Sequence, residues 1–312
     1  MGAYAARRLL GLVPVLLTAV VLTFIATRFV PGDPIMTLLS DRSGDALLEA
    51  RLRAEYGLDR PVWEQFLSYL GGIARGDFGL SFRFAGVPVI EVIGRGLLVS
   101  PVLAVSALVI AMTAGIALGT VAALHRNGLA DTAIILVLVA GMSVPNFAMA
   151  AFLVYVFSIR LDLLPVAGWG TPAQAVLPVL LLAIPPTAYI ARLTRTYMLE
   201  VFTHDYVRTA YAKGLPQRLI VLRHVLRNTL VPLLTTVGII FGGLLSGTFV
   251  VETIFNIPGL GRMAIESIFA RDYPVTMAIV LLFTAFYAGI NLIIDLLYGV
   301  IDPRIRLGGE AG

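Results

Sequence analysis

Leu97–Leu124 reads LLVSPVLAVSALVIAMTAGIALGTVAAL, twenty-eight consecutive residues without an Asp, Glu, Lys or Arg. At about 1.5 Å per helical residue, such a run outspans a hydrocarbon core of about 30 Å, so it reads as a transmembrane helix that tilts or projects beyond the bilayer. Working outward, the chain holds five more uncharged runs: Leu9–Thr27, Thr132–Ile159, a proline-interrupted run densest at Val176–Ala191, Thr229–Val251 and Tyr273–Ile294. Thr132–Ile159 is as long as the first and is expected to be one tilted span. The fourth run is the weakest, because its core is short and holds Pro178, Pro185 and Pro186. Bundled membrane helices tolerate proline, since neighbours satisfy the freed carbonyls. Composition agrees: of 312 residues 58% are hydrophobic and only 13% charged, with a mean hydropathy of +0.91. Soluble domains carry about 25% charged residues. This chain has too little polar surface for a water-soluble body, which excludes an ordinary soluble enzyme and a disordered scaffold. With no cysteine, disulfides, thiolate metal sites and cysteine nucleophiles are excluded as well. The expected fold is an all-α polytopic membrane protein with six transmembrane helices.

Six crossings put both termini on one side. If that side is cytoplasmic, the inner segments hold twelve cations against five acids and the outer ones eleven against thirteen, with Asp295 inside the last span. The positive-inside rule therefore favours cytoplasmic termini, and the net charge of +4 reflects topology rather than nucleic-acid binding. Most of the asymmetry comes from 192–228. Arg7-Arg8 precedes an apolar run longer than a signal-peptide core, with no small-x-small cleavage site after it, so the first span is read as uncleaved.

Two water-facing segments stand out. The first, 31–96, carries seven arginines and nine acids. Leu47, Leu48 and Leu52 lie at helical intervals, with Asp45 as N-cap and Gly57 as stop; Pro61 opens a second short amphipathic helix. This insert reads either as a cap over the outer helix ends or as a docking surface for an external partner. The second segment is basic, and Gly214-Leu-Pro216 interrupts two amphipathic pieces. It reads Asp205-Tyr-Val-Arg-Thr-Ala-Tyr-Ala-Lys-Gly-Leu-Pro-Gln-Arg218, then Arg223-His-Val-Leu-Arg-Asn-Thr-Leu-Val-Pro232.

That pattern resembles the cytoplasmic "EAA" loop of ATP-binding cassette (ABC) importer permeases, in the branch that imports dipeptides, oligopeptides and nickel. Other blocks resemble the branch's first permease subunit, the one with a long outer loop. They include Pro31-Gly32-Asp33-Pro34, Gly76-Asp-Phe-Gly-Leu-Ser81, Ser143-Val-Pro-Asn-Phe147, Pro258-Gly-Leu-Gly261, Arg271-Asp-Tyr-Pro274 and Asn291-Leu-Ile-Ile-Asp295 running to Arg306. One departure is visible: where the broader family has Glu-Ala-Ala, this chain has Arg208-Thr-Ala210.

The resemblance implies a type I ABC importer permease-like bundle. Its parts are an N-terminal helix at 1–30, an extracytoplasmic insert at 31–96, a five-helix permease domain at 97–302 and a cytoplasmic tail at 303–312. It also implies partners: a second homologous permease subunit, two ATP-binding cassette ATPase subunits, an extracytoplasmic solute-binding protein and the lipid bilayer, but no nucleic acid. The loop would couple to the ATPase. Asp205 would cap its first helix, Ala210 and Ala212 would permit close approach to a partner groove, and Gly214 would allow the turn. Arg208 and Lys213 would bond to acidic or carbonyl groups. In the third span, Ser143, Pro145 and Asn146 form a polar break that either lines the substrate route or serves helix–helix hydrogen bonding.

The chain is not expected to be the ATPase or any other enzyme, and no cofactor or metal is expected. A phosphate-binding loop needs G-x-x-x-x-G-K-[ST], whereas the only lysine, Lys213, sits in Tyr-Ala-Lys-Gly. The three histidines, 125, 204 and 224, fall in expected cytoplasmic segments, which argues against an intramembrane serine protease or metalloenzyme. Alternatives are a nickel or oligosaccharide importer of the same branch, or an ion-coupled secondary transporter. Asp295, near the inner end of the last span, reads as a coupling carboxylate in the last case and otherwise as a partner for a cytoplasmic arginine.

Overall fold

The computed structural model describes residues 2–30, 35, 39 and 46–301, with side chains described from 8 to 296. The Asp45 cap, the Pro31–Pro34 block and the tail at 303–312 lie outside the described residues. In chain order the helices are α1 (Gly2–Phe29), α2 (Ala46–Glu55), α3 (Val62–Ile73), α4 (Val89–Gly94), α5 (Val99–Leu124), α6 (Leu129–Ser143), α7 (Asn146–Leu153), α8 (Pro172–Val201), α9 (Asp205–Ala212), α10 (Gln217–Leu219), α11 (Leu226–Ile254), α12 (Leu260–Phe269) and α13 (Tyr273–Ile301). Among the described residues, five stretches are long and apolar enough to cross a membrane; a bent pair, Leu129–Ser143 with Asn146–Arg160, makes a sixth if its two halves count as one span.

The bend corrects the reading of Thr132–Ile159 as one tilted helix: the chain turns through 106° between its two halves. The cause is local. Pro145 forces Val144 out of the helical region, to φ −85° and ψ 126°. The missing proline N–H also ends the hydrogen-bond ladder. The second half closes with a π-helical turn, Val154–Arg160.

The described residues form two compact units, one of residues 101–257 with 289–301 and one of residues 2–100 with 258–288. In the first, α8 is the hub. Its hydropathy is the lowest of the five long candidate spans, yet half of its most apolar window is buried, more than in any of the other four. A helix surrounded by protein does not need to be oily on every face. Its start is fixed by Pro172 at the first helical position and a reciprocal capping box in which Gln174 accepts the Thr171 N–H at 3.0 Å. Gly115 and Gly119 of α5 let the α8 backbone approach; a Cβ on Gly119 would lie 2.4 Å from the Ala191 carbonyl oxygen. This small-xxx-small spacing is the usual way membrane helices pack closely.

In the second unit, α4, α12 and the start of α13 share a core of Val89, Ile93, Leu260, Ala264, Val275, Ala278 and Ile279. The latter part of the insert is thus packed on a segment almost two hundred residues away. Buried Asp272 fastens it: its carboxylate accepts the Ser81 hydroxyl and the backbone N–H groups of Phe82 at 3.0 Å and Arg83 at 3.2 Å. At the end of α1, Phe24 meets Phe66 of α3 edge-on at 5.1 Å, and Arg28 donates to the Gln65 side chain.

Candidate functional site: the basic loop and the broken span

The basic loop is held rigidly by its own inner face. Val207 and Ala210, one turn apart on α9, are buried in a cluster with Ala123 of α5, Met198 and Val201 of α8, and Ile220, Val221 and Val225 of the π-helical turn before α11. Asp205 is the first residue of α9, and His204 occupies the cap position with no side-chain cap bond. This corrects the expected cap. Asp205 instead places a negative charge in the first helical turn, where the helix dipole favours it, 3.7 Å from Arg208. Both side chains are almost fully exposed, so that pair contributes little and leaves Arg208 available to a partner.

A second correction concerns the alanines. Ala210 points inward, so its close approach is made within the chain. Ala212, about 140° further round the helix from Val207 at 100° per residue, faces out with Asp205 and Thr209. Lys213 and Gly214 are also exposed. Gly214 has φ +72° and ends α9 in a Schellman arrangement: its N–H donates to Tyr211 O at 2.9 Å and the Leu215 N–H to Ala210 O at 3.3 Å. Leu215 then packs on the same cluster as Ala210, the hydrophobic contact that accompanies this cap.

Sequence reasoning missed Tyr206 and Tyr211, which flank the buried strip and are 42% and 47% exposed. Partial burial pushes the Tyr206 phenol up from its ordinary value. Tyrosine offers a large amphipathic contact at low entropic cost, the usual anchor of a protein interface. The helical offset of both residues from Val207 and Ala210 was the available signal.

In the broken span, Ser143, Val144 and Pro145 are exposed on this chain and Asn146 is half-buried. The Ser143 hydroxyl donates back to Val139 O at 2.8 Å, so it is satisfied within its own helix. Irregular backbone at membrane depth is tolerated only where protein covers it or a water-filled cavity meets it. Among the described residues, no group of three or more His, Asp or Glu side chains is placed to hold a metal.

Residues 115–307 match the family described as "Binding-protein-dependent transport system inner membrane component", and residues 1–90 its N-terminal membrane component. The chain belongs to this permease family. Over 307 residues, 98% of this chain and 99% of the relative, the permease is 41% identical to the dipeptide transport system permease protein DppB of Bacillus subtilis. It is 42% identical over 303 residues, 97% of this chain and 98% of the relative, to the glutathione transport system permease protein GsiC of Pectobacterium atrosepticum. A solved structure of the MetNI methionine ABC transporter superposes with a TM-score of 0.58 at 15% identity, over 68% of this chain and 97% of that one. The permease therefore has the type I ABC importer fold and is a multi-pass membrane protein. Membership implies in general a partnering permease, an ATPase and a binding protein.

Proposed function

We propose that this permease forms half of the translocation pathway for short peptides in the cell membrane. A homologous second permease subunit completes the pathway, two ATPase subunits drive it, and an extracytoplasmic binding protein delivers the cargo. The supporting observation is the construction of α9. A short helix braced from beneath by a buried core, capped at Gly214, and presenting Tyr206, Arg208, Tyr211, Ala212 and Lys213 outward is suited to receive force from another protein. Asp205–Gln217 is assigned as this coupling element. Relatives named for dipeptide and glutathione favour a peptidic cargo over nickel ion or oligosaccharide.

The excess of cations in the segments that share a side with the termini supports a topology with both termini and 192–228 in the cytoplasm, and 31–96 outside as the long insert of a first permease subunit. A reporter fused after Ser68 is expected to behave as exported and one after Gly214 as cytoplasmic. The reverse pattern would overturn this topology. Ser143, Pro145 and Asn146, at a break exposed on the isolated chain, are assigned to the pathway.

The test is uptake of a labelled dipeptide into proteoliposomes holding the assembled transporter. Uptake is expected to require ATP and the binding protein, and to persist when ion gradients are collapsed. A cysteine at Ser143 in this cysteine-free chain should react with a water-soluble thiol reagent in one transport state and be protected in another. Gradient-driven uptake without ATP would reject the proposal in favour of an ion-coupled transporter.

A further inference from the structure

Asp131 and Arg195 lie 64 residues apart in sequence and form a side-on, two-point ion pair. Arg195 Nε donates to Asp131 Oδ1 at 2.6 Å and an Arg195 terminal nitrogen donates to Oδ2 at 2.6 Å. The Asp131 side chain is 6% exposed and that of Arg195 25%. A third donor, the backbone N–H of Asn127 at 2.9 Å, also reaches Oδ2. Asn127 itself is held at φ +62° in the turn between α5 and α6. Charge-assisted two-point pairs of this kind fix geometry as well as energy. The pair thus fastens three things together: the α5–α6 turn, the start of α6 and the last third of α8.

Its place in the fold gives the pair a role beyond holding helices together. Met198 and Val201, within two turns of Arg195, belong to the core that seats Val207 and Ala210 of the coupling helix. In the other direction, α6 runs from Asp131 to the break at Ser143–Pro145, about 18 Å of straight helix. The α8 helix also holds Pro185 and Pro186, which withhold two hydrogen bonds about nine residues before Arg195 and mark where that helix can bend. At that level Gly141 of α6 faces Ile184, whose methyl would lie 3.2 Å from an added Cβ.

We propose that the Asp131–Arg195 pair is a positioning strut, making the end of α8 and the first half of the broken span move as one body. Displacement of the coupling helix then reaches the break at Ser143 through Arg195, Asp131 and α6. This rests on the assignment of Asp205–Gln217 as the coupling element and of Ser143–Asn146 to the pathway.

Two measurements test it. In the first, Asp131→Asn and Arg195→Lys are assembled with the ATPase and binding protein in proteoliposomes. Arg195→Lys keeps the charge but loses the planar two-point geometry. Both are expected to retain the ATPase at wild-type yield and to keep hydrolysis stimulated by the binding protein. Transport per ATP should fall about tenfold in Asp131→Asn, the size of an ordinary coupling free energy, and less in Arg195→Lys. A merely structural role would lower yield and hydrolysis together and leave transport per ATP unchanged; that result overturns the strut. The second measurement needs no transport. Spin labels on Leu136→Cys and Thr196→Cys, both exposed positions, should keep one separation in the nucleotide-free and ATP-trapped states. A separation that changes between those states in the otherwise unaltered chain overturns the proposal. Failure of the wild-type chain to retain the ATPase at all would instead strike the assignment of the coupling element.

Discussion

Replacing Gly119 with alanine is expected to destabilise the permease, although alanine is the better helix former. An exposed mid-helix Gly→Ala change gains up to about 1 kcal/mol. Here the new Cβ would lie 2.4 Å from the Ala191 carbonyl oxygen and 2.7 Å from the Thr194 Cβ. The first of these is backbone of the buried hub helix α8 and cannot swing aside, so α5 and α8 must separate. Overpacking of this kind costs about 1–3 kcal/mol, which outweighs the propensity gain. Valine, with two more methyl groups, should cost more and prevent stable assembly. The measurement is the thermal midpoint of the purified chain in detergent, with Gly11→Ala and Gly71→Ala as references, since nothing lies within 4 Å of a Cβ at either position. The references should hold or rise while Gly119→Ala falls by several degrees. An unchanged or raised midpoint for Gly119→Ala would falsify the close packing of α5 on α8.

Gly214→Val is expected to act in the opposite manner, sparing the fold and abolishing the output. No atom lies within 4 Å of a Cβ there, so the cost is not a clash. It comes from φ +72°, a conformation that costs an L-residue about 1–2 kcal/mol and a β-branched one most. The chain relieves that strain by undoing the Schellman turn. Leu215 then leaves its contact with the core, and α9 loses its fixed angle. The protein should still insert and dock its binding protein. Transport and binding-protein-stimulated ATP hydrolysis should fall together by tenfold or more, with less ATPase copurifying. Gly214→Asn should retain most of the activity, because asparagine tolerates this backbone. Equal loss in the asparagine and valine variants would point to the space around Gly214 rather than to its backbone angle. Normal transport with unchanged association in Gly214→Val would reject the assignment of Asp205–Gln217 as the coupling element.

Both predictions mark where sequence reading succeeds and where it stops. Gly214 was legible because a turn between two amphipathic pieces is a local matter: a left-handed residue is required, and glycine before Leu-Pro advertises it. Gly119 was not, since an uncharged run gives no hint of which small residue meets a neighbouring backbone. Asp205 was misplaced by one position because cap and first-turn acids look alike in sequence; only the dihedral angles of His204 separate them. Ala210 was misread for a related reason. Its small side chain suits either a partner groove or the chain's own core, and the cluster formed by α5, α8 and the turn before α11 decided for the core.

The sequence by itself determined the membrane class, the number of apolar runs, the charged stretch at 31–96 and the family, because hydropathy, charge and motif spacing are carried residue by residue along the chain. Tertiary structure alone decided that the least hydrophobic of the five long candidate spans is the most buried, and that the third run bends sharply at Val144–Pro145. It alone revealed that the insert's later part shares a core with Leu260–Ile279 and that Asp131 belongs to Arg195. In a bilayer the hydrophobic effect places helices in the membrane but does not choose their neighbours. That choice rests on close packing and on polar pairs between residues far apart in sequence, which no local pattern records.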